Sequence, residues 1–186
     1  MTATGIGRRS ILAMGAAAAL PAPSLAQDMR AQTLRFVPQA NLSVLDPVFT
    51  TATVTGNHGW HVFDTLYGVD AELKPKPQMA EGWETSQDGL TLTFTLRDGL
   101  MFHDGEKVLA KDCVASINRW ARRDPFTQVL WPNVAALEAL DDRRFRFRFH
   151  KPTPLLIMAL GQTQFPCFIM PERIASTDAF QQIRET

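Results

Sequence analysis

The sequence predicts a mixed α/β (α+β) fold, and three observations lead to that prediction. Hydrophobic residues make up 45% of the 186 residues and charged residues 20%, the balance of an ordinary globular protein. Leu90–Arg97 and Arg144–His150 alternate apolar and polar residues, as half-buried strands do. Ala110–Arg122 carries apolar residues at helical spacing. Because strands and helices follow one another without a regular β-α-β order, we expect an α+β protein or one with a mixed sheet.

Composition and charge exclude several classes of protein. Lys plus Arg is 19 and Asp plus Glu is 19, so the chain lacks the basic excess that is typical of nucleic-acid-binding proteins. Two cysteines are too few for a disulfide-stapled miniprotein. No apolar run reaches the roughly 18 residues that a membrane-spanning helix needs.

Residues 1–26 have the pattern of an export signal. Arg8 and Arg9 precede the apolar stretch Ile11–Leu20, and Ser24-Leu25-Ala26 places small residues where a signal peptidase cuts. Paired arginines in this position indicate the twin-arginine route. We therefore expect a mature protein that begins near Gln27 and works in the periplasm, outside the cytoplasmic membrane.

The first part of the mature chain predicts four elements. Thr33–Pro38 alternates apolar and polar residues and is expected to form a short strand, and Asn41–Pro47 is expected to be a loop. Thr53–Leu66 has helical spacing despite two glycines, so a helix is expected there. Lys74–Pro77 (KPKP) is typical of a polyproline-like connector.

The middle of the chain predicts a hairpin and further tight turns. Trp83–Ser86 and Leu90–Arg97 are expected to be its strands, joined through Gln87-Asp88-Gly89. Asp-Gly pairs recur at 88–89, 98–99 and 104–105, where glycine supplies a positive φ and aspartate bonds the turn backbone. This turn chemistry is a simpler explanation of Asp98 and Asp104 than a pair of catalytic carboxylates.

The last third predicts a helix–hairpin–helix succession. The expected elements are a helix at Ala110–Arg122, strands at Val134–Leu140 and Arg144–His150, a short helix at Leu155–Leu160, a strand at Phe165–Met170, and a final helical segment opened by Pro171-Glu172. Arginines alternate with phenylalanines along the second of these strands, which indicates the solvent-facing side of an amphipathic strand rather than a nucleic-acid patch.

Two pairs of side chains allow a chemical or a structural interpretation. His58 and His61 share one helical face, which is half of a metal site, but no third ligand has a recognisable spacing. Cys113 and Cys167 can form a disulfide in an oxidising compartment, or remain two separate buried thiols. The structural interpretation is favoured for both pairs.

A succession of short motifs carries a family resemblance. They are Ala80-Glu81-Gly82-Trp83, Asp88-Gly89, the Thr-rich strand Thr91–Thr95, Leu96-Arg97-Asp98-Gly99, Phe102-His103-Asp104-Gly105, and Ala110-Lys111-Asp112 through Ser116. Leu45-Asp46-Pro47 and Phe63–Tyr67 add two upstream elements. With these motifs the chain resembles the solute-binding proteins of peptide-type ABC transporters, extracytoplasmic family 5, which includes dipeptide, oligopeptide and nickel-chelate receptors. Leu109, a poor N-cap, and Cys113, at a usually aliphatic position, depart from the pattern.

The resemblance implies a fold and a division of the chain. It implies the N-terminal part of a type II periplasmic-binding-protein clamshell that includes its extra domain. Residues 27–68 would hold the first strand and helix of lobe I, residues 69–171 the extra subdomain, and residues 172–186 a segment returning to lobe I. Because family members are several hundred residues long, we expect the chain to be an N-terminal fragment.

The resemblance also implies a function without bond-breaking chemistry. Such proteins capture a peptide or similar solute between two lobes and deliver it to a membrane permease. The implied ligand-binding residues are Gln39, Asn41, Thr50, Thr51, Thr53, Asn57, Gln164 and Phe165, from the segments expected to face the cleft, with N–H groups at Thr50–Thr53 facing a ligand carboxylate. No metal, cofactor or nucleic acid is expected, and the full-length protein is expected to be a monomer.

Other functions stay open at this point. Within the family, the solute can be a nickel chelate, an opine, glutathione or a sugar. A second class is an exported cofactor-dependent enzyme, because twin-arginine export often carries proteins folded around cofactors. A third is an independent binding module of residues 27–186.

Overall fold

The computed structural model describes residues 34–184, so the predicted signal peptide lies outside the described residues. Of the described residues, 34–37 belong to one unit and those from Pro38 onward to another. The prediction of a strand at Thr33–Pro38 is wrong for the described residues 34–38, which have no strand geometry. Leu34 is 94% exposed and Phe36 65%. An alternating pattern forms a strand only when another strand accepts its hydrogen bonds, and no described residue does so here.

Helix α1 spans Thr53–Val62 and is followed by three short strands, β1 (Asp64–Thr65), β2 (Tyr67–Val69) and β3 (Pro75–Pro77). The helix was predicted to reach Leu66, but it ends at Val62 because the chain then joins a strand, where Asp64 pairs with Ile169. The KPKP segment is also not a free connector, since β3 pairs antiparallel with β2. Prolines are tolerated in so short a two-stranded sheet because neither strand is central.

An antiparallel sheet of four strands forms the main body. Its strands are β4 (Ala80–Thr85), β5 (Thr91–Leu96), β6 (Val134–Ala139) and β7 (Arg144–Phe149), in the order β4-β5-β7-β6. Phe94 of β5 lies opposite Trp83 on one side and Phe145 on the other. Both predicted hairpins are thus confirmed, although β4 begins three residues earlier than expected. The fold class is confirmed as mixed helix and sheet.

The inner face of the sheet is aromatic and packs against one helix. The rings of Phe94 and Phe145 are stacked 5.0 Å apart with an interplanar angle of 6°. Helix α2 (Ala110–Ala121) covers this face with Cys113 and Ile117, both fully buried.

Asp112 compensates for the poor N-cap of α2. Leu109 has no side-chain acceptor, but its backbone N–H donates to Oδ2 of Asp112 at 2.7 Å. Oδ1 of the same carboxylate accepts from the backbone N–H of Glu172 at 2.7 Å. One side chain therefore closes the start of α2 and ties it to the end of the described chain.

The outer face of the sheet is a solvated ladder of ion pairs, as expected for the arginine-rich strand. Glu138 accepts hydrogen bonds from Arg146 at 2.8 Å and from Arg148 at 3.1 Å. Arg144 pairs with Asp141 at 2.7 Å. The acidic residues of the hairpin therefore offset these arginines, and exposed pairs of this kind contribute little to stability.

Five short elements complete the described chain: α3 (Pro125–Leu130), a single 3-10 turn (Trp131–Asn133), α4 (Leu156–Leu160), β8 (Phe168–Ile169) and α5 (Glu172–Ala175). Helix α3 was not predicted, although Asp124 has the N-cap role, accepting from Thr127 N–H at 2.7 Å. A strand was predicted over Phe165–Met170, but only Phe168 and Ile169, which pair with β1, have strand geometry. The three Asp-Gly turns are confirmed, with φ of 68° at Gly89, 75° at Gly99 and 86° at Gly105.

Buried apolar residues form two clusters. The larger joins the sheet, α2 and α4, and contains both cysteines, whose thiols are unpaired and whose pKa values burial raises. The smaller contains Val48, Phe168, Met170, Ala175 and Ile183, so it joins an early segment to the end of the described chain. Between residues 34 and 184, no helix has the length and apolar character needed to cross a bilayer.

Candidate functional site

A cleft of about 320 Å³ lies between the start of α1 and the loop that follows α4. Its lining combines hydroxyl and amide side chains with aromatic rings and prolines. The lining residues are Pro47, Thr50, Thr51, Ala52, Thr53, Gly56, Asn57, Trp60, Thr163, Gln164, Phe165, Pro166 and Phe168. Two segments more than 100 positions apart in the sequence therefore build one site.

The cleft brings together six of the eight residues predicted to bind ligand: Thr50, Thr51, Thr53, Asn57, Gln164 and Phe165. Gln39 and Asn41 are exposed and do not line it. Gln162, which belongs to the same predicted loop, is also outside the lining, and its side-chain nitrogen is buried without an acceptor among the described residues. The ligand-binding role of all these residues stays a prediction.

Asp46 shapes the first wall of the cleft by bonding the turn that precedes it. Its Oδ1 accepts from the backbone N–H groups of Val48 at 3.1 Å and Phe49 at 3.3 Å. The carbonyl of Phe49 in turn accepts from Nη2 of Arg123 at 2.8 Å. The backbone is thus held on both sides immediately before Thr50.

A buried ion pair anchors Asp46 itself. Both guanidinium nitrogens of Arg119 reach its carboxylate, Nη1 to Oδ1 at 3.0 Å and Nη2 to Oδ2 at 2.7 Å. The backbone N–H of Ile183 donates to Oδ2 at 2.9 Å. Burial by itself raises the pKa of Asp46. The hydrogen bonds from Arg119 and Ile183 lower that pKa by more than burial raises it, so the net pKa lies below its usual value.

Arg119 also uses its remaining donors. Its Nε donates to the carbonyl of Thr177 and its Nη2 to that of Gln181, each at 3.1 Å. The fork therefore satisfies two backbone carbonyls in addition to the carboxylate, as a buried charge requires. One arginine of α2 connects the cleft wall with the segment that follows α5.

The start of α1, which lines the cleft at Ala52 and Thr53, has backbone donors without acceptors. Ala52 is the N-cap and has no side-chain acceptor, and the first turn contains no acidic residue. The N–H groups of Thr55 and Gly56 bond to the carbonyl of Ala52, both at 3.0 Å. Within residues 34–184 the N–H groups of Thr53 and Val54 have no acceptor, as is usual at a helix N-terminus without a capping side chain.

The second wall is held by α2 from behind. Nε1 of Trp120 donates to the carbonyl of Phe165 at 2.8 Å. Because Trp120 is only 3% exposed, its indole is locked by packing and fixes the loop at that point. The position of Phe165 in the cleft wall is therefore held by a hydrogen bond from a residue 45 positions earlier in the sequence.

Gly59 and Trp60 contribute to the cleft, and sequence reasoning missed both. A Cβ on Gly59 would lie 2.7 Å from Cε2 of Phe168 and 3.4 Å from Cβ of Pro47, so glycine allows α1 to approach both. This approach places the Trp60 ring 5.1 Å from the Phe168 ring in an edge-to-face contact. The available signal was glycine inside a helical pattern, which often marks close packing.

One of the two helical histidines, His61, bonds within its own helix. Nδ1 of His61 lies 2.7 Å from the carbonyl of Asn57 and donates to it one turn earlier in α1. In the described part of the chain, no three His, Cys, Asp or Glu side chains are grouped as metal ligands.

A second cavity, of about 270 Å³, has a different character. Its lining is mostly apolar and includes Val62, Met79, Leu100 and Ile169. Asp46, Asp64, His103, Asp104 and Arg173 also line it, but none of the eight residues predicted to bind ligand does, so the cleft beside α1 is kept as the candidate for recognition.

Comparison with known proteins places the fold in a family context. The family model described as "Bacterial extracellular solute-binding proteins, family 5 Middle" matches residues 74–182. A probable peptide ABC transporter periplasmic-binding protein of Sinorhizobium fredii, y4tO, is 40% identical over 184 residues, which are 96% of this chain and 34% of that protein. The glutathione-binding protein GsiB of Escherichia coli O6:K15:H31 is 30% identical over 163 residues, 86% of this chain and 31% of that protein.

A solved structure shows the same architecture. The binding protein MoaA from A. tumefaciens R10, in complex with mannopinic acid, matches with a TM-score of 0.62 and 26% identity. The match covers 72% of this chain and 28% of that one. The chain spans about a third of the length of the curated relatives it matches.

Proposed function

The chain belongs to family 5 of the bacterial extracellular solute-binding proteins, and on this premise we propose that it is part of the solute-receptor component of an ABC importer. The family consists of solute-binding proteins rather than enzymes. The receptor captures a peptide or a related small solute outside the cytoplasmic membrane and delivers it to a membrane permease. The cleft beside α1, with six of the eight residues chosen from the sequence, is the observation that carries the proposal.

In this proposal the cleft is one half of the ligand site. The hydroxyls of Thr51 and Thr53 and the amides of Asn57 and Gln164 supply donors and acceptors for a peptide backbone. The free N–H group of Thr53 offers a donor to a carbonyl or carboxylate oxygen. A second lobe would close over the solute by hinge bending and exclude water from these bonds.

Packing gives partial support to the proposed division of the chain. Residues 27–68 and 172–186 would belong to lobe I, and residues 69–171 would form its extra subdomain. The smaller apolar cluster joins Val48 to Ala175 and Ile183, and it also includes Phe168 and Met170 from the end of the extra subdomain. The larger cluster lies almost wholly within residues 69–171.

A thermal-shift measurement on the full-length protein tests the ligand class. The panel contains tripeptides, glutathione and an opine such as mannopinic acid, since relatives are named for binding a peptide, glutathione or mannopinic acid. A true ligand at about 100 times its Kd stabilises the protein by about 2.7 kcal/mol. Asn57→Ala is expected to reduce the shift, while Arg148→Ala, on the outer face of the sheet, serves as the matched control. A melting temperature that no compound raises would contradict the receptor function.

Export by the twin-arginine route is part of the proposal and needs its own test. The double variant Arg8→Lys/Arg9→Lys should leave the precursor in the cytoplasm. The control variant Arg30→Lys/Arg35→Lys, beyond the predicted cleavage site, should be exported like the wild type. Export of the double-lysine variant would contradict the route but not the receptor function.

Without residues 1–26 the chain has seventeen basic and nineteen acidic side chains, which does not favour nucleic acid as a ligand. We expect light scattering to show a monomer.

A further inference from the structure

The cleft beside α1 contains no ionisable side chain. Every described residue that lines it is a threonine, an amide, a glycine, an alanine, a proline or an aromatic residue. An ionised group of a solute therefore meets no full counter-charge here, only the partial charges of hydroxyl, amide and backbone N–H groups. Burying an unpaired charge is costly, whereas a neutral group that hydrogen-bonds is accommodated without that cost.

Trp60 gives the cleft a flat apolar surface. Trp60 is 41% exposed, and its ring makes an edge-to-face contact with the buried ring of Phe168. Gly59 allows that contact, since any larger residue would push α1 away from Phe168. The indole is therefore held in one place from behind and open toward the cleft, which is the arrangement in which a ring stacks on a bound solute.

From these observations, and resting on the proposed receptor function, we propose that Trp60 is a specificity-determining residue. Its ring stacks on a flat, uncharged portion of the solute. The surrounding hydroxyl and amide groups hydrogen-bond to the polar edge of that portion. Two sources share this chemistry, namely a peptide segment with a neutral planar side chain and a sugar-like ring.

The first arm of the test measures affinity by calorimetry in the full-length protein. The probes are Ala-Phe-Ala, Ala-Lys-Ala and Ala-Glu-Ala for the peptide source, and mannose and mannopinic acid for the sugar-like source. We expect one source to bind, with Ala-Phe-Ala tighter than both charged peptides if it is the peptide. Trp60→Ala should weaken that ligand at least ten-fold and Trp60→Phe about three-fold, because the smaller ring keeps part of the stacking.

Trp83→Ala is the matched control, because Trp83 is 42% exposed and lies outside the cleft. It should change the Kd less than two-fold. A second readout does not depend on the Trp60→Ala variant folding well. The ligand-induced change in tryptophan fluorescence should be as large in Trp83→Phe as in the wild type and clearly smaller in Trp60→Phe, where only the remaining tryptophans, Trp120 behind the cleft among them, can report.

The outcomes separate the two proposals. Binding that Trp60→Ala and Trp83→Ala weaken equally, or a fluorescence change that is undiminished in Trp60→Phe, overturns the role of Trp60 and leaves the receptor function standing. A preference for either charged peptide overturns the neutral-site inference in the same way. If no probe binds to the wild type, the receptor function and this inference fail together.

Discussion

Nη2 of Arg119 lies 2.7 Å from Oδ2 of Asp46, although the two residues are 73 positions apart. Both side chains are almost wholly buried, with 2% and 0% of their surfaces exposed. Asp46 bonds the turn before the cleft, and Arg119 bonds two carbonyls near the end of the described chain. The pair therefore positions one wall of the candidate site without touching the cleft itself.

Removing one partner of this pair should be costly. Arg119→Met leaves the carboxylate of Asp46 buried and unpaired, so we expect it to lower the free energy of unfolding by about 3–5 kcal/mol. The double variant Asp46→Leu/Arg119→Met should recover part of that loss, because no charge is then left unpaired. Urea denaturation measures both values. Arg122→Met, which breaks an exposed pair with Asp178, is the control and should change little. If Arg119→Met and Arg122→Met lower the free energy of unfolding equally, the buried pair contributes no more to stability than the exposed pair.

The same carboxylate predicts how stability depends on pH. Its folded pKa is lowered, so the unfolded chain binds the proton more readily and stability rises with pH across this range. The contribution is present above the ordinary pKa of an aspartate, about 4, and is lost as pH falls through the lower folded value. Urea melts at pH 7, 5, 4 and 3 should therefore show the wild type losing its advantage over Asp46→Asn below about pH 4. A difference that stays constant across this series would argue against the shift.

The two glycines of α1 should respond oppositely to alanine. Gly59→Ala places a Cβ 2.7 Å from Phe168 and should cost about 1–3 kcal/mol through overpacking. Gly56→Ala meets nothing within 4 Å in the same helix, so higher helix propensity should stabilise the protein by up to about 1 kcal/mol. Thermal and urea unfolding compare the two. If both variants are stabilised, α1 is not packed on Phe168 as the structure shows.

Ser116 joins α2 to the strand that leads into α5. Its Oγ donates to the carbonyl of Met170 at 3.1 Å and accepts from the N–H of the same residue at 2.9 Å. Ser116→Ala leaves both backbone groups buried without partners and should cost about 1–3 kcal/mol. Hydrogen exchange should show faster exchange at the Met170 amide, whereas the exposed Ser176→Ala should leave it unchanged. Unaltered protection of Met170 in Ser116→Ala would contradict this role.

Local patterns in the sequence were sufficient to predict the sheet strands, the main helix and the turns. Alternation at Leu90–Arg97 and Arg144–His150 marks which side of each strand is buried, and the Asp-Gly pairs require a positive φ that the structure confirms. The resemblance carried by these motifs led to the family and to two segments of a cleft. These properties are encoded within about ten neighbouring residues, so the sequence reveals them directly.

Features that depend on distant partners were missed or misplaced. Lys74–Pro77 became a strand because β2 was available to pair with it, and Thr33–Pro38 did not, since no described strand lies beside it. The meeting of Thr53 with Gln164, the exposure of Trp60 and the bond from Arg119 to Asp46 depend on how α1, α2 and β8 pack together. Packing and long-range hydrogen bonds are set by residues far apart in the chain, and a periodic pattern read along the sequence contains no information about which of them will touch.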